Sequence, residues 1–202
     1  MLPAQTIESL RKPFSLAFVL LWIAAALFTV PAGLGRFWYE VMESVGYGLL
    51  IVAALGRMWC TIYIGGRKNA ELCREGPYGA CRNPLYFFSF LGVLGACLGL
   101  QSPLLLVVSA IVYLIYYAGM IRAEERRLSA MFGAQFIDYE AAVPRFWPRW
   151  VKIRDDRERM IGVRHLLRGL GEVFWFLAAI ILIDAIEAAH LAGLWSARVL
   201  PL

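Results

Sequence analysis

The chain has 202 residues, 60% of them hydrophobic, with a mean hydropathy of +0.63 and a net charge of +5. A soluble domain is about 45–50% apolar, so the excess excludes an ordinary soluble globule and indicates one polytopic membrane domain. The basic residues flank apolar runs, which assigns them to topology and anionic headgroups and argues against a nucleic-acid partner.

Residues 1–13 are a short polar lead, with Arg11 and Lys12 ahead of the first apolar run. Phe14 to about Leu34 reads as a membrane helix, within the roughly 17–25 residues needed to cross a bilayer, with its end loosened by Pro31 and Gly33. It is too long for a signal core, and no Ala-x-Ala site follows it. Arg36, Phe37, Trp38 and Tyr39 form an interfacial belt. A second helix is predicted from Tyr39 to Ile64, with Glu40 and Glu43 at the interface. Arg57 lies deep in it and must pair, snorkel or serve a site.

Gly65 to Asn83 is a polar loop carrying Arg67, Lys68, Arg74 and Arg82. Pro84 to Leu100 is the third predicted helix. Asn83 suits its N-cap and Pro84 its first position, so its free N–H groups aim at the loop and favour anions. Gln101-Ser102-Pro103 is a minimal turn that returns a fourth helix, Leu104 to Ile121, antiparallel to the third. Gly92, Gly95 and Gly99 on the third helix serve close helix packing or the approach of a cofactor to bare backbone.

Arg122 to Gly169 is strongly basic, and Gly171 to Trp195 is the last apolar run. The predicted fold is all-α, with about five transmembrane helices, the short hairpin 84–100/104–121, and cytoplasmic amphipathic helices. Three regions follow: a two-helix scaffold over 1–70, a core over 71–150, and a basic segment with a final helix over 151–202. The positive-inside rule puts the N-terminus, the Gly76–Pro84 loop and the Arg122–Gly169 segment in the cytoplasm, and the C-terminus on the opposite side.

The four cysteines, Cys60, Cys73, Cys81 and Cys97, form no Cys-x-x-Cys pair and read as free thiols on a reducing face. Asp184, Glu187 and His190 share a stripe of the last helix. Glu187-Ala-Ala-His190 has the Glu-x-x-His spacing of di-iron bundles, but the only other histidine is His165, so no metal is expected. These three residues pair internally, line a polar cavity, or sit near the far interface.

With Ile121 to Phe132 as a helix, Ile121, Leu128, Met131 and Phe132 form an apolar stripe. Glu124 and Glu125 fall inside it, while Arg122, Arg126 and Arg127 face water. Buried carboxylates need partners. An ion pair with Arg57 or Arg82, or a cationic ligand, meets that need. Phe136, Tyr139, Phe146, Trp147 and Trp150 supply aromatic surface for headgroups, a nucleoside or a lipid. No Gly-x-Ser-x-Gly, Walker loop or Gly-x-Gly-x-x-Gly of a βαβ unit is present, so a nucleotide-containing cofactor would need a helical membrane pocket.

From Gly76 to Pro148 the chain resembles the isoprenylcysteine carboxyl methyltransferase and phospholipid methyltransferase family. The resemblance rests on Gly76-Pro77-Tyr78, Arg82-Asn83-Pro84-Leu85-Tyr86, the hairpin, Arg122-x-Glu124-Glu125-x-x-Leu128, Phe132-Gly133, Tyr139 and Val143-Pro144-Arg145-Phe146-Trp147-Pro148. It implies a membrane methyltransferase using S-adenosylmethionine without a Rossmann domain. Carried over, Tyr78, Arg82, Asn83, Pro84, Tyr86, Gly92, Glu124, Glu125 and Tyr139 border the cofactor, and Arg82, Tyr86, Glu125 and Arg145 take part in the reaction. The family has His where this chain has Asn83, which cannot shuttle a proton. The implied partners are the lipid bilayer and a lipophilic acceptor, either an isoprenylcysteine-like carboxylate or a phospholipid-like amine. An NADPH-dependent reductase of the sterol-reductase type and a non-catalytic scaffold are the alternatives.

Overall fold

The computed structural model of the chain describes residues 37–66, 70–150 and 162–193, helical residues 20, 22–24 and 26–27, and strand residues 29–31 and 198–200. The expected first span, Phe14 to Leu34, lies largely outside the described residues, as does much of the basic stretch after Trp150. Its described end departs from expectation. Thr29–Pro31 is a strand, β1, paired in parallel with β2, Arg198–Leu200. Two β-branched residues precede a proline, and the residue before proline is biased out of the α region, which disfavours a helix here.

The remaining described elements are helical: α1 (Phe37–Ile64), α2 (Pro77–Ala80), α3 (Pro84–Gly99), α4 (Pro103–Phe132), α5 (Ala134–Ala142) and α6 (Val163–Leu191). Among the described residues, α1, α4 and α6 are long and apolar enough to cross a membrane, and α3 is a shorter apolar helix. The outward faces of α4 and α6 carry exposed Val107, Ile111, Ile115, Phe174, Trp175 and Ile181, a surface suited to lipid. Helix α6 begins eight residues before its expected start, extending through Arg164 and Arg168. It ends at Leu191 rather than Trp195, where Gly193 turns the chain at φ 64°. A left-handed glycine is a common helix stop.

Helix α1 packs on α3 and on α6, which also touch each other. The α1–α3 crossing is backbone on backbone. A Cβ on Gly46 would lie 2.4 Å from Gly99 N and 2.6 Å from Gly95 O. Gly95 and Gly99 therefore serve helix packing. A Cβ on Gly92 would meet Phe176 of α6 at 2.5 Å, so Gly92 also sits at a helix contact. Arg57 finds its partner across the same bundle: its Nε donates to Glu172 Oε2 of α6 at 2.6 Å, and its Nη1 donates to Ser89 Oγ.

The turn after α3 is as tight as its sequence suggests. Gln101 is left-handed (φ 55°), and Ser102 Oγ accepts from Leu105 N at 3.4 Å to cap α4. Helix α3 has 16 residues and α4 has 30, or about 24 and 45 Å at 1.5 Å per residue. The hairpin is therefore unequal, and α4 continues well past the start of α3. The expected fourth span and the following amphipathic segment are one continuous helix, which stops at Gly133 (φ 53°).

Candidate active site

The overhang of α4 holds Glu125, and the loop before α3 folds onto it. Arg82 N donates to Pro144 O at 2.9 Å and Arg149 N donates to Ala80 O at 2.9 Å, clamping residues 80–82 against residues 144–149. Asn83 occupies the N-cap position of α3, but its side chain does not cap the helix. Its Nδ2 instead donates to Glu125 Oε1 at 3.1 Å and to Arg145 O at 3.0 Å. Both amide protons are thereby committed to tying the loop, α4 and the 144–149 segment together.

Glu125 is the hub. It is 6% exposed, and three cationic or polar groups converge on it. Besides Asn83, Arg145 Nε donates to Oε2 at 2.8 Å and Arg82 Nε lies 3.3 Å from Oε1. Arg82, rather than Arg57, is thus an ion-pair partner of this buried acid. Glu140 of α5 completes the cluster, with Oε1 2.6 Å from Arg82 Nη1 and 3.7 Å from Arg145 Nη2. Two guanidinium groups are shared between two carboxylates.

Beside the cluster lies a cavity of about 340 Å3 lined by Arg122, Glu125, Arg126, Ser129, Phe136, Glu140 and Arg145. Arg122, Arg126 and Ser129 stand at i, i+4 and i+7, which places them on one face of α4. Arg122 and Arg126 are exposed, as their position outside the apolar stripe implies, and the same face also lines the cavity. Glu140 had no signal in the sequence, since it lies on α5, far along the chain from Arg82, and the fold alone pairs them.

The other residues singled out by sequence lie around this centre. Glu124, next along α4, points to the α3 side and accepts from Tyr86 Oη at 2.9 Å. Tyr113 Oη donates to Tyr86 O at 2.8 Å and its ring stacks on Tyr117 at 4.1 Å. Tyr139 is buried, and its Oη donates to Tyr78 O at 2.7 Å. Burial raises the pKa of both Tyr78 and Tyr139 well above the usual tyrosine value. Pro84 starts α3 directly beneath Asn83. Phe146 and Trp147 pack edge-on against Phe87 and Phe90, walling the α3 side. Cys60, Cys73 and Cys81 form no disulfide and are buried behind that wall with Tyr78, Phe87 and Phe88. Burial pushes the Cys81 thiol up to about 12.

At the other end of the bundle, Asp184 and Glu187 are drawn into a separate polar network. Tyr47 Oη contacts both Asp184 and Glu43, and Gln101 Nε2 donates to Glu43 at 3.2 Å and Glu187 at 3.4 Å. His190 Nε2 lies 2.9 Å from Leu27 O. Among the described residues no three His, Cys, Asp or Glu side chains are arranged to hold a metal ion.

Residues 43–135 match the phospholipid methyltransferase family model. The chain is 35% identical to the nickel-cobalt-cadmium resistance protein NccN of Alcaligenes xylosoxydans xylosoxydans, over 84% of this chain and 72% of the relative. It is 32% identical to the cobalt-zinc-cadmium resistance protein CzcN of Cupriavidus metallidurans, over 88% of this chain and 82% of the relative. Protein-S-isoprenylcysteine O-methyltransferase B of Arabidopsis thaliana is 27% identical over 69% of this chain and 76% of its own length. No solved structure is significantly similar.

Proposed function

From the premise that the chain belongs to the phospholipid methyltransferase family and is an integral membrane protein, we propose that it transfers a methyl group from S-adenosylmethionine to a lipophilic acceptor at the membrane surface. The observation that carries this reading is Glu125, buried at the wall of an arginine-lined cavity on the overhang of α4. The donor set fits the cofactor. A zwitterionic amino acid with a neighbouring cation needs acidic and basic groups side by side, and Glu125, Arg122, Arg126 and Arg145 meet within one cavity. Phe136 offers an apolar wall. The volume falls in the roughly 300–1,000 Å3 range of small-molecule sites.

When bound, S-adenosylmethionine supplies an electrophilic methyl group on a sulfonium. The chain's residues do the rest. Arg122, Arg126 and Arg145 attract the carboxylate of the ligand, and Glu125 attracts its positive end. Asn83 fixes the orientation of Glu125 and moves no proton, so the reading needs no imidazole at that position. A carboxylate acceptor needs no base. An amine acceptor must first lose a proton, and the Glu124 carboxylate, held by Tyr86 Oη, is the group available to receive it. The exposed apolar faces of α4 and α6 support entry of the acceptor sideways from lipid. The basic flanks support a cytoplasmic position for this end, by the positive-inside rule.

A second reading, a membrane scaffold without methyl transfer, is favoured by the complete structural commitment of the Asn83 amide. Two relatives are named for metal resistance, and the scaffold reading suits a part in such a system. Isothermal titration of the detergent-purified protein with S-adenosylhomocysteine separates the two. The methyltransferase reading expects saturable binding that is lost in a Glu124→Gln, Glu125→Gln variant and kept in a Glu124→Gln variant. Folded wild-type protein that binds nothing would sink it.

A further inference from the structure

Glu140 stands apart from the other acids of the cluster. It is the one carboxylate of the cluster contributed by α5, its side chain is 45% exposed, and it lines the cavity. Yet its oxygen lies 2.6 Å from Nη1 of Arg82, whose side chain is only 7% exposed, and 3.7 Å from Nη2 of Arg145. Glu125 alone already gives both arginines a carboxylate, Arg82 through Nε and Arg145 through Nε. Glu140 lies against one outer nitrogen of each; Arg145 and Glu140 line the cavity, and Arg82 sits behind Glu140, buried. Outer nitrogens are the donors an incoming carboxylate needs, since guanidinium recognises carboxylate through its paired outer N–H groups.

We propose that Glu140 is a binding-determining residue that stands in for the carboxylate of the amino-acid ligand. It pairs by charge with an outer nitrogen of Arg82 and of Arg145 and swings away when a ligand carboxylate takes its place. This rests on the cofactor reading above. Arg122 and Arg126 line the cavity beside this cluster and draw the ligand carboxylate toward it. With Glu140 released to solvent, which its exposure permits, the outer nitrogens it covered are freed for that carboxylate. Glu125 cannot play this part, because it is buried, accepts from Asn83 and Arg145 and pairs with the buried Arg82. A competing side chain lowers the fraction of protein ready to bind, and apparent affinity falls by the same fraction.

The test compares wild type with Glu140→Gln, and with Glu140→Ala as a second variant, by titration with S-adenosylmethionine and with its decarboxylated form. The latter keeps the nucleoside, the sulfonium and the amine. The expected result is S-adenosylmethionine binding tightened on the order of 3–10-fold in both variants, with the decarboxylated ligand unchanged. Equal tightening of both ligands, or no change in either, overturns the proposal and leaves Glu140 a structural partner of Arg82. Weaker binding of both ligands also overturns it and assigns Glu140 to the ligand's amine. If the folded wild type and both variants bind neither ligand, the cofactor reading itself fails and the proposal falls with it.

Discussion

Replacing Glu125 by Gln removes one negative charge from the centre of the cluster while keeping size and a hydrogen-bonding oxygen. Arg82, with a side chain 7% exposed, loses a partner at 3.3 Å but keeps Glu140 at 2.6 Å. Arg145 loses a 2.8 Å partner, but its side chain is 49% exposed and water screens it. Breaking a fully buried pair costs about 3–5 kcal/mol, and an exposed pair contributes about 0–1 kcal/mol. The retained Glu140 contact lowers the first figure, so the net loss should be about 2–3 kcal/mol. Reversible unfolding by sodium dodecyl sulfate in mixed micelles, followed by tryptophan fluorescence, measures it. A double-mutant cycle with Arg82→Gln should return a coupling of at least about 1 kcal/mol. A Glu125→Gln variant within about 0.5 kcal/mol of wild type, with no coupling to Arg82, would refute the placement of Glu125 as the electrostatic hub.

Two further outcomes test other parts of the structure. Gly95→Val drives a side chain into Gly46 O and Leu50 N, and should cost about 1–3 kcal/mol or more, read as a loss of monodisperse protein on size exclusion or a lower melting temperature. Gly119→Val, at a position with open space, is the control and should be tolerated. The Cys81 thiol, raised from 9.0 to about 12 by burial, should resist maleimide at pH 7.5 until the protein is denatured. Because its folded value lies above its unfolded one, its contribution to stability is present below pH 9 and is lost as pH rises toward 12. A thiol modified as fast in folded as in unfolded protein would contradict the burial.

The sequence carried the local punctuation well. Asn83-Pro84 marks the start of α3, Gln101-Ser102-Pro103 the hairpin turn, and Gly95 and Gly99 a close crossing, because each depends on backbone chemistry within a few residues. The burial of Glu125 followed from helical phase alone. What stayed hidden was pairing across long separations. Arg57 finds Glu172 on α6, Asp184 finds Tyr47 on α1, and Glu140 finds Arg82. No spacing rule links such residues, since the fold brings them together. Asn83 is instructive in the other direction. Its residue type suits a cap, and it occupies the cap position, but Glu125 and Arg145 O offered its amide stronger use. Thr29 to Pro31 shows a hydropathy pattern overruled by proline and β-branching.

The short helix α3 sets the relation between the protein and the thickness of its host membrane. At about 24 Å, it falls several ångströms short of a hydrocarbon layer about 30 Å deep, while α1, α4 and α6 exceed it. Lipid that reaches the half-buried face of α3 would thin, or let headgroups sink toward the level of Asn83, at a modest cost per ångström of mismatch. A headgroup lowered in this way is brought within reach of the cavity without leaving its own leaflet. Acyl-chain length of the surrounding lipid thereby becomes a determinant of access, acting through the solvent rather than through any side chain.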